Sequence, residues 1–220
     1  MRVKFERSLI PADPDLSFEN ALWETGLRYV AGIDEAGRGA LAGPVAAAAV
    51  IFPDDVRIAA SLKGIRDSKQ MTPASRCAWA IRLDGLSIAQ AVGFASAQEI
   101  DELGIVPATR LAIRRALTQL SVSPQHLLVD FLNLPECDLP QTPLVKGDMR
   151  SLSISAASIL AKTARDELLC RLDEEYPGYE FAAHKGYGTL THRQAIQRLG
   201  YSAIHRRSFK IKINEVLGSI

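Results

Sequence analysis

Acidic residues stand at three places in this 220-residue chain where runs of β-forming residues stop. Asp34-Glu35 follows residues 29–33, Asp130 follows Leu127-Leu128-Val129, and Asp148 follows residues 142–145 after Lys146-Gly147. In open α/β sheets, ligands bind in the crevice at the carboxyl ends of the strands. If these three strands are parallel neighbours, four carboxylates converge there. Carboxylates held so close repel one another and persist only with protons or cations among them. An all-oxygen ligand set suits magnesium or manganese. Two such ions about 3.5–4 Å apart can bind both the attacking and the leaving oxygen of a phosphodiester displacement. One tension follows from strand geometry. Adjacent strand residues face opposite sides of a sheet, so Asp34 and Glu35 share a site only if the strand ends or bulges between them. Taken singly, Asp130 suits a turn and Asp148 a helix cap. Asp166, four residues after Lys162, reads as a surface pair partner.

The segment Asp34-Glu35-Ala36-Gly37-Arg38-Gly39 adds a loop to the acids. Its glycines let backbone approach a ligand closely, and Arg38 suits phosphate. It lacks the Lys-Ser/Thr of a nucleotide P-loop and the spacing of a dinucleotide fingerprint. The histidines at 126, 184, 192 and 205 lack the spacing of zinc ligands and read as phosphate-facing or packing residues.

The elements that must position these groups are legible in outline. Pro11 and Pro14 mark an extended arm over residues 1–16, followed by a short helix over 17–26. A strand over 28–33 precedes Gly43-Pro44, and residues 45–52 form an eight-residue apolar run closed by Pro53. The run is too short to span a bilayer and reads as a buried strand. Thr72-Pro73 opens a helix that runs to about Leu83. A third strand covers 86–94, a helix 107–120, and two short strands 127–129 and 142–145. The spacing of Ile154, Ala157, Ala161, Ala164, Leu168 and Leu172 predicts a long helix over 152–175, stopped before Pro177-Gly178. Hairpin-like strands followed by strands alternating with helices describe a mixed α/β sheet.

Composition sets the class: 47% hydrophobic and 23% charged residues match a soluble globular protein. Residues 1–7 carry charge without the apolar core expected of a secretion signal behind them. Three separate cysteines, Cys77, Cys137 and Cys170, argue against a disulfide framework and for a reducing cytoplasm. The net charge of +1 hides an asymmetry. Residues 181–214 hold seven bases and no acid, leaving nineteen bases against all twenty-five acids in the rest of the chain. A basic segment beside an acid-lined site suits a polyanion, although taken alone it reads more readily as a solvated amphipathic tail.

Together these motifs resemble bacterial ribonuclease HII. The resemblance runs from Val30-Ala31-Gly32-Ile33 into Asp-Glu-Ala-Gly-Arg-Gly, then Leu41-Ala42-Gly43-Pro44-Val45, Asp67-Ser68-Lys69 and Ile100-Asp101-Glu102-Leu103. It continues through Leu128-Val129-Asp130, Lys146-Gly147-Asp148, Ile154-Ser155-Ala156-Ala157-Ser158-Ile159-Leu160-Ala161-Lys162, His184-Lys185-Gly186-Tyr187 and His205-Arg206-Arg207-Ser208-Phe209. It implies an RNase H-like mixed β-sheet flanked by helices, with a helical C-terminal segment. Residues 28–220 would be the catalytic domain and residues 1–27 an N-terminal arm and short helix. It implies an endonuclease that cuts the RNA strand of RNA–DNA hybrids and incises 5′ of ribonucleotides embedded in duplex DNA, in ribonucleotide and primer removal. Two-ion hydrolysis with Mn2+ or Mg2+ would leave 3′-hydroxyl and 5′-phosphate ends, and the protein would be a cytoplasmic monomer.

By the same resemblance, Asp34, Glu35, Asp130 and Asp148 hold the metal, and Gly37, Arg38 and Gly39 recognise the ribonucleotide. Tyr187 packs under the following deoxyribose, and Ser68 and Lys69 contact phosphate. Arg206 and Arg207, within the basic segment, are expected to bind phosphates. Two positions depart from the family pattern: Ala40 in place of a proline, and Phe131 in place of a glycine or alanine. The intact Gly37-Arg38-Gly39 with Tyr187 argues against ribonuclease HIII or a junction resolvase. Retention of all four acids argues against a non-catalytic nucleic-acid-binding module.

Overall fold

The computed structural model describes residues 10–210. Its centre is a five-stranded sheet of order β3-β2-β1-β4-β5, with β1 over Val30–Ala36, β2 over Val45–Ile51, β3 over Ala89–Ala95, β4 over His126–Asp130 and β5 over Gln141–Leu144. β1, β2 and β3 pair antiparallel, whereas β1–β4 and β4–β5 pair parallel. The mixed α/β sheet expected from the sequence is therefore present, and the strands carrying the acids are parallel neighbours.

Helices cover both faces. α1 spans Ser17–Trp23, α2 Ile58–Ser61, α3 Pro73–Leu86, α4 Ala97–Leu103, α5 Ile105–Thr118, α6 Leu152–Glu175, α7 Phe181–His184 and α8 Leu190–Leu199. Alternation along the strands divides the core in two. Ala31 and Ile33 of β1 join Ala47, Ala49 and Ile51 of β2 against Ala108, Ala112 and Ile113 of α5. Ala48 and Val50 face the other way, with Ala156, Ala157 and Ile159 of α6 and Trp79 and Leu83 of α3. The alanines of β2 suit this two-sided burial because small side chains let both helix layers approach. Gly32 carries the close approach furthest: a Cβ there would lie 2.2 Å from the Ser153 carbonyl carbon, so α6 crosses directly over backbone.

Several boundaries differ from the sequence reading. β1 runs on through Asp34, Glu35 and Ala36, paired with Ala48, Ala47 and Ala46, rather than stopping at Ile33. Asp130 is the last residue of β4. Leu86 closes α3 instead of opening β3, because the helix outruns its apolar pattern. α4 was not anticipated; its signal was the capping box Ser96-x-x-Glu99, in which both reciprocal hydrogen bonds are made. α6 spans the expected residues, with Ser151 as its cap. Among the described residues, no helix is long and apolar enough to cross a membrane.

Candidate active site

The acids gather where β1 outruns its parallel neighbour. β4 pairs with β1 only as far as Val129 opposite Ile33, so Asp34 and Glu35 project past the last rung. There is no bulge between them, yet both reach the same crevice. Asp34 is buried, and its carboxyl is pushed well above the usual range by burial, then by Glu35, Asp130 and Asp148. Glu35, also raised by burial, is offset by Arg38 and Lys69 and lines the adjoining cleft. The stated condition of a strand end or bulge is thus met only on the β4 side, where the ladder stops.

Asp130 is pushed up to about 6 by burial, then by Asp148. It accepts a 2.7 Å hydrogen bond from the Gly147 N–H, which ties the end of β4 to the tight turn Gly147–Met149 carrying Asp148. Asp148 is raised by burial and by Asp67, and Lys69 Nζ stands 3.6 Å from it. Among the described residues, no three acidic, histidine or cysteine side chains are already arranged to hold an ion. The carboxylates are instead occupied locally: Asp34 Oδ1 accepts from the Glu35 N–H, and Glu35 Oε1 receives Arg38 Nη1 at 2.9 Å. Glu35 Oε2 is buried without a hydrogen-bond partner.

Beside the acids lies a cleft of about 240 Å³ lined by Glu35, Gly37–Gly39, Ser68, Lys69, Ser158, Lys162 and Tyr187. Ser68 is buried and shares a 2.8 Å hydrogen bond with Ser158, so its hydroxyl braces the wall. Tyr187 is half-exposed, and the Lys162 ammonium and Arg165 guanidinium lie 5.6 and 5.5 Å from its ring centre. Lys162 also bridges Asp166 at 2.6 Å, and Arg76 bridges the same acid at 3.2 Å. Asp166 is thus a half-buried junction between α3 and α6, not a surface partner.

Arg206 does not face phosphate, contrary to the sequence expectation. It is fully buried, and its guanidinium donates to the carbonyls of Gly37 (2.7 Å), Arg38 (2.8 Å) and Gly43 (3.0 Å). Burial, then Arg165, pull its pKa down to about 9. Arg165, which the sequence reading did not single out, donates likewise to Ala42, Pro44 and Lys185. Gly37 has φ 89°, and a Cβ there would lie 1.9 Å from Arg165 Nε. Glycine is therefore required by conformation and by the guanidinium beneath it. Since C=O and N–H of one trans peptide point oppositely, holding the Gly37 and Arg38 carbonyls inward turns the next N–H groups outward. Arg207 is exposed, with its N–H on Asp101; residues 211–214 of the basic segment, Lys212 among them, lie outside the described residues.

The histidines are packing residues. Ser202 donates its N–H to His205 Nδ1, so neutral His205 donates from Nε2 to His192 Nε2 at 3.0 Å. His192 then donates from Nδ1 to the Tyr187 carbonyl. Burial pulls both histidines down to about 4, which keeps this chain neutral. His184 stacks on His192, and His126 pairs with Thr142. Glu19 was also missed: buried on α1, it accepts from Ser151 and Ser153 and anchors the start of α6 just beyond Asp148.

The family model described as ribonuclease HII matches residues 31–212. The chain is 54% identical over 196 residues to ribonuclease HII of Synechococcus sp. (strain JA-3-3Ab), covering 89% of this chain and 88% of the relative. The chain belongs to the ribonuclease HII family. Membership makes it a ribonuclease H, a hydrolase with endonuclease activity. Among solved structures, ribonuclease H2 from Pyrococcus horikoshii OT3 superposes with a TM-score of 0.68 at 28% identity, over 86% of this chain and 98% of the other. Ribonuclease HIII from Bst, solved in complex with Mn2+, shares the fold at a TM-score of 0.61 and 19% identity, over 86% and 69%. Ribonuclease HII membership thus accords with the RNase H-like architecture.

Proposed function

We propose that this ribonuclease HII cuts the RNA strand of RNA–DNA hybrids and incises 5′ of single ribonucleotides in duplex DNA, leaving 3′-hydroxyl and 5′-phosphate ends. The observation that carries the reading is the cluster Asp34, Glu35, Asp130 and Asp148 at one end of the sheet, whose carboxyls are all raised, Asp34 by burial and then by its three fellow acids. An oxygen-only donor set, with Glu35 Oε2 buried and unpartnered, fits hard divalent cations such as Mg2+ or Mn2+. The four carboxylates would hold them, and two bound ions would supply Lewis acidity at the phosphodiester and a more acidic water.

The chain's own groups orient the substrate. The outward N–H groups of the loop at Gly37–Gly39 approach the 2′-hydroxyl, which is both donor and acceptor. Arg38 and Lys69 offset phosphate charge at the cleft. Tyr187 offers its half-exposed ring to the next sugar, where a second 2′-hydroxyl fits less well. Ser68 holds the wall through Ser158, and Arg207 adds charge at the rim. On this reading the protein acts as a cytoplasmic monomer, with residues 28–220 as the catalytic unit and residues 1–27 as its arm.

The test is cleavage of a duplex carrying one ribonucleotide, with Mg2+, with Mn2+ and with a chelator. Ion-dependent incision on the 5′ side is expected. Cutting that persists in chelator, or cuts that ignore the ribonucleotide, would overturn the reading.

A further inference from the structure

On the far side of the acids from the loop at Gly37–Gly39, the structure carries an apolar rim that the proposed function leaves unused. The strand order sets this arrangement: the loop joins β1 to β2, while β4 and β5 lie on the other side of β1. At their carboxyl ends, Phe131 is 64% exposed and Val145 39% exposed, with exposed Lys146 following. Two hydrogen bonds gather them into one rim. The Phe131 N–H donates to the Leu144 carbonyl at 2.9 Å, and the Gly147 N–H to Asp130 at 2.7 Å.

The backbone here is strained. Phe131 and Lys146 both have φ 55°, in the left-handed region. For a bulky aromatic this is an outlier, and such strain persists where function selects the side chain. A large ring left in solvent, on a backbone that glycine would adopt freely, gains nothing for folding. It follows Asp130 directly in the chain, and Asp130 in turn holds the turn that carries Asp148.

We infer that Phe131, Val145 and Lys146 form a second nucleic-acid contact, in which the Phe131 ring packs on the apolar sugar and base edges of the duplex and Lys146 meets a flanking phosphate. The occupant follows from position and charge: the rim continues the crevice that holds the scissile phosphodiester, and its polar member is a cation. The inference rests on the proposed substrate class, but not on hydrolysis.

Binding of a labelled RNA–DNA duplex in chelator, followed by anisotropy across a salt series, separates the two. Phe131→Gly is expected to weaken binding about five- to fiftyfold, by analogy with losses of aromatic stacking, while thermal stability holds or rises because glycine accepts φ 55°. Its salt slope stays that of the wild type, whereas Lys146→Ala lowers the slope by about one. Phe131→Tyr retains wild-type affinity. Wild-type affinity in Phe131→Gly, or loss of affinity in Phe131→Tyr equal to that in Phe131→Gly, overturns the inference. Wild-type protein that binds the duplex but never cuts it with added ion would instead overturn the hydrolytic reading.

Discussion

Two regions of this molecule bury like charges together, and they solve the problem in opposite ways. At the ends of β1, β4 and the turn after β5, four acids share one crevice, each with few partners. Beneath the loop at Gly37–Pro44, Arg165 and Arg206 are both fully buried, and among the described residues neither makes a salt bridge with an acid. The arginines are satisfied internally, because six backbone carbonyls supply the negative ends of their dipoles. The acids are not: backbone N–H groups, half-buried Arg38 and exposed Lys69 reach them, yet all four carboxyls stay raised and Glu35 Oε2 is buried without a hydrogen-bond partner. One cluster completes itself and holds a loop in shape. The other, on the proposed reading, is completed by cations from outside.

The largest expected effect follows from removing a charge where charge is in excess. Asp34→Asn takes one ligand from the cluster and should lower ion-dependent cleavage by roughly a thousandfold or more. Without ions, the same change relieves repulsion and should stabilise the fold by about 1–3 kcal/mol, raising Tm by several degrees. A folded Asp34→Asn enzyme that cleaves normally would end the assignment. Because folding raises the pKa of these carboxyls, the protonated form is the one the fold favours. Their contribution is fully present below the ordinary aspartate value near 3.8 and is lost as pH rises through about 6. Chelated protein should therefore melt lower at pH 7.5 than at pH 5, and divalent ions should remove most of that difference.

The arginine cluster predicts the reverse sensitivity. Arg206→Met leaves three buried carbonyls unpaired and should destabilise by about 3–5 kcal/mol. Arg206→Lys, which cannot fork to three acceptors, should retain part of the stability and lose incision at single ribonucleotides more than cutting of long hybrids. Equal loss on both substrates would make Arg206 a general brace with no part in shaping the loop.

That contrast also explains what the sequence revealed. The four acids were legible because strand propensity ends near them and because charge that dense is hard to explain structurally. Their exact seats were less so: nothing local shows that β1 continues to Ala36 while β4 stops, which is a property of pairing. Arg206 was misread because an acid-free basic segment looks solvated, and the sequence does not show that its carbonyl partners lie 163 to 169 residues upstream. Arg165 did leave a trace. It stands four residues after Ala161 and four before Leu169, both fully buried, so a base on that stripe had to find acceptors inside. Glu19 left none, since a single acid on a short N-terminal helix is ordinary until its serine partners are known.

At the boundary between the two regions, Tyr187 touches both: it lines the cleft, its ring lies over Arg165, and its carbonyl receives His192. Tyr187→Ala should reduce incision at a single embedded ribonucleotide roughly ten- to a hundredfold, and cutting of long hybrids much less, where many poses compete. The ratio of the two rates is the measurement; an unchanged ratio would assign the ring to packing alone.

The smallest effect belongs to the neighbour of Arg206 in the chain. Arg207 is exposed, but its N–H and the N–H and hydroxyl of Ser208 donate to Asp101, so its backbone is held while its side chain is free to meet phosphate. Arg207→Ala should leave stability within about 0.5 kcal/mol, as for surface changes elsewhere. It should also lower the slope of log affinity against log salt by about one, the signature of a single lost phosphate contact. The effect on affinity is a few-fold and uniform across duplexes, because a phosphate carries no sequence. Comparing Arg207→Ala with Arg206→Met then separates adjacent arginines by physical role: one should change the salt slope and spare the melt, the other should lower the melt. A salt slope unmoved by Arg207→Ala would mean that the basic segment near the site serves only to hold the loop, and that duplex affinity comes from Arg38, Lys69 and the rim at Lys146.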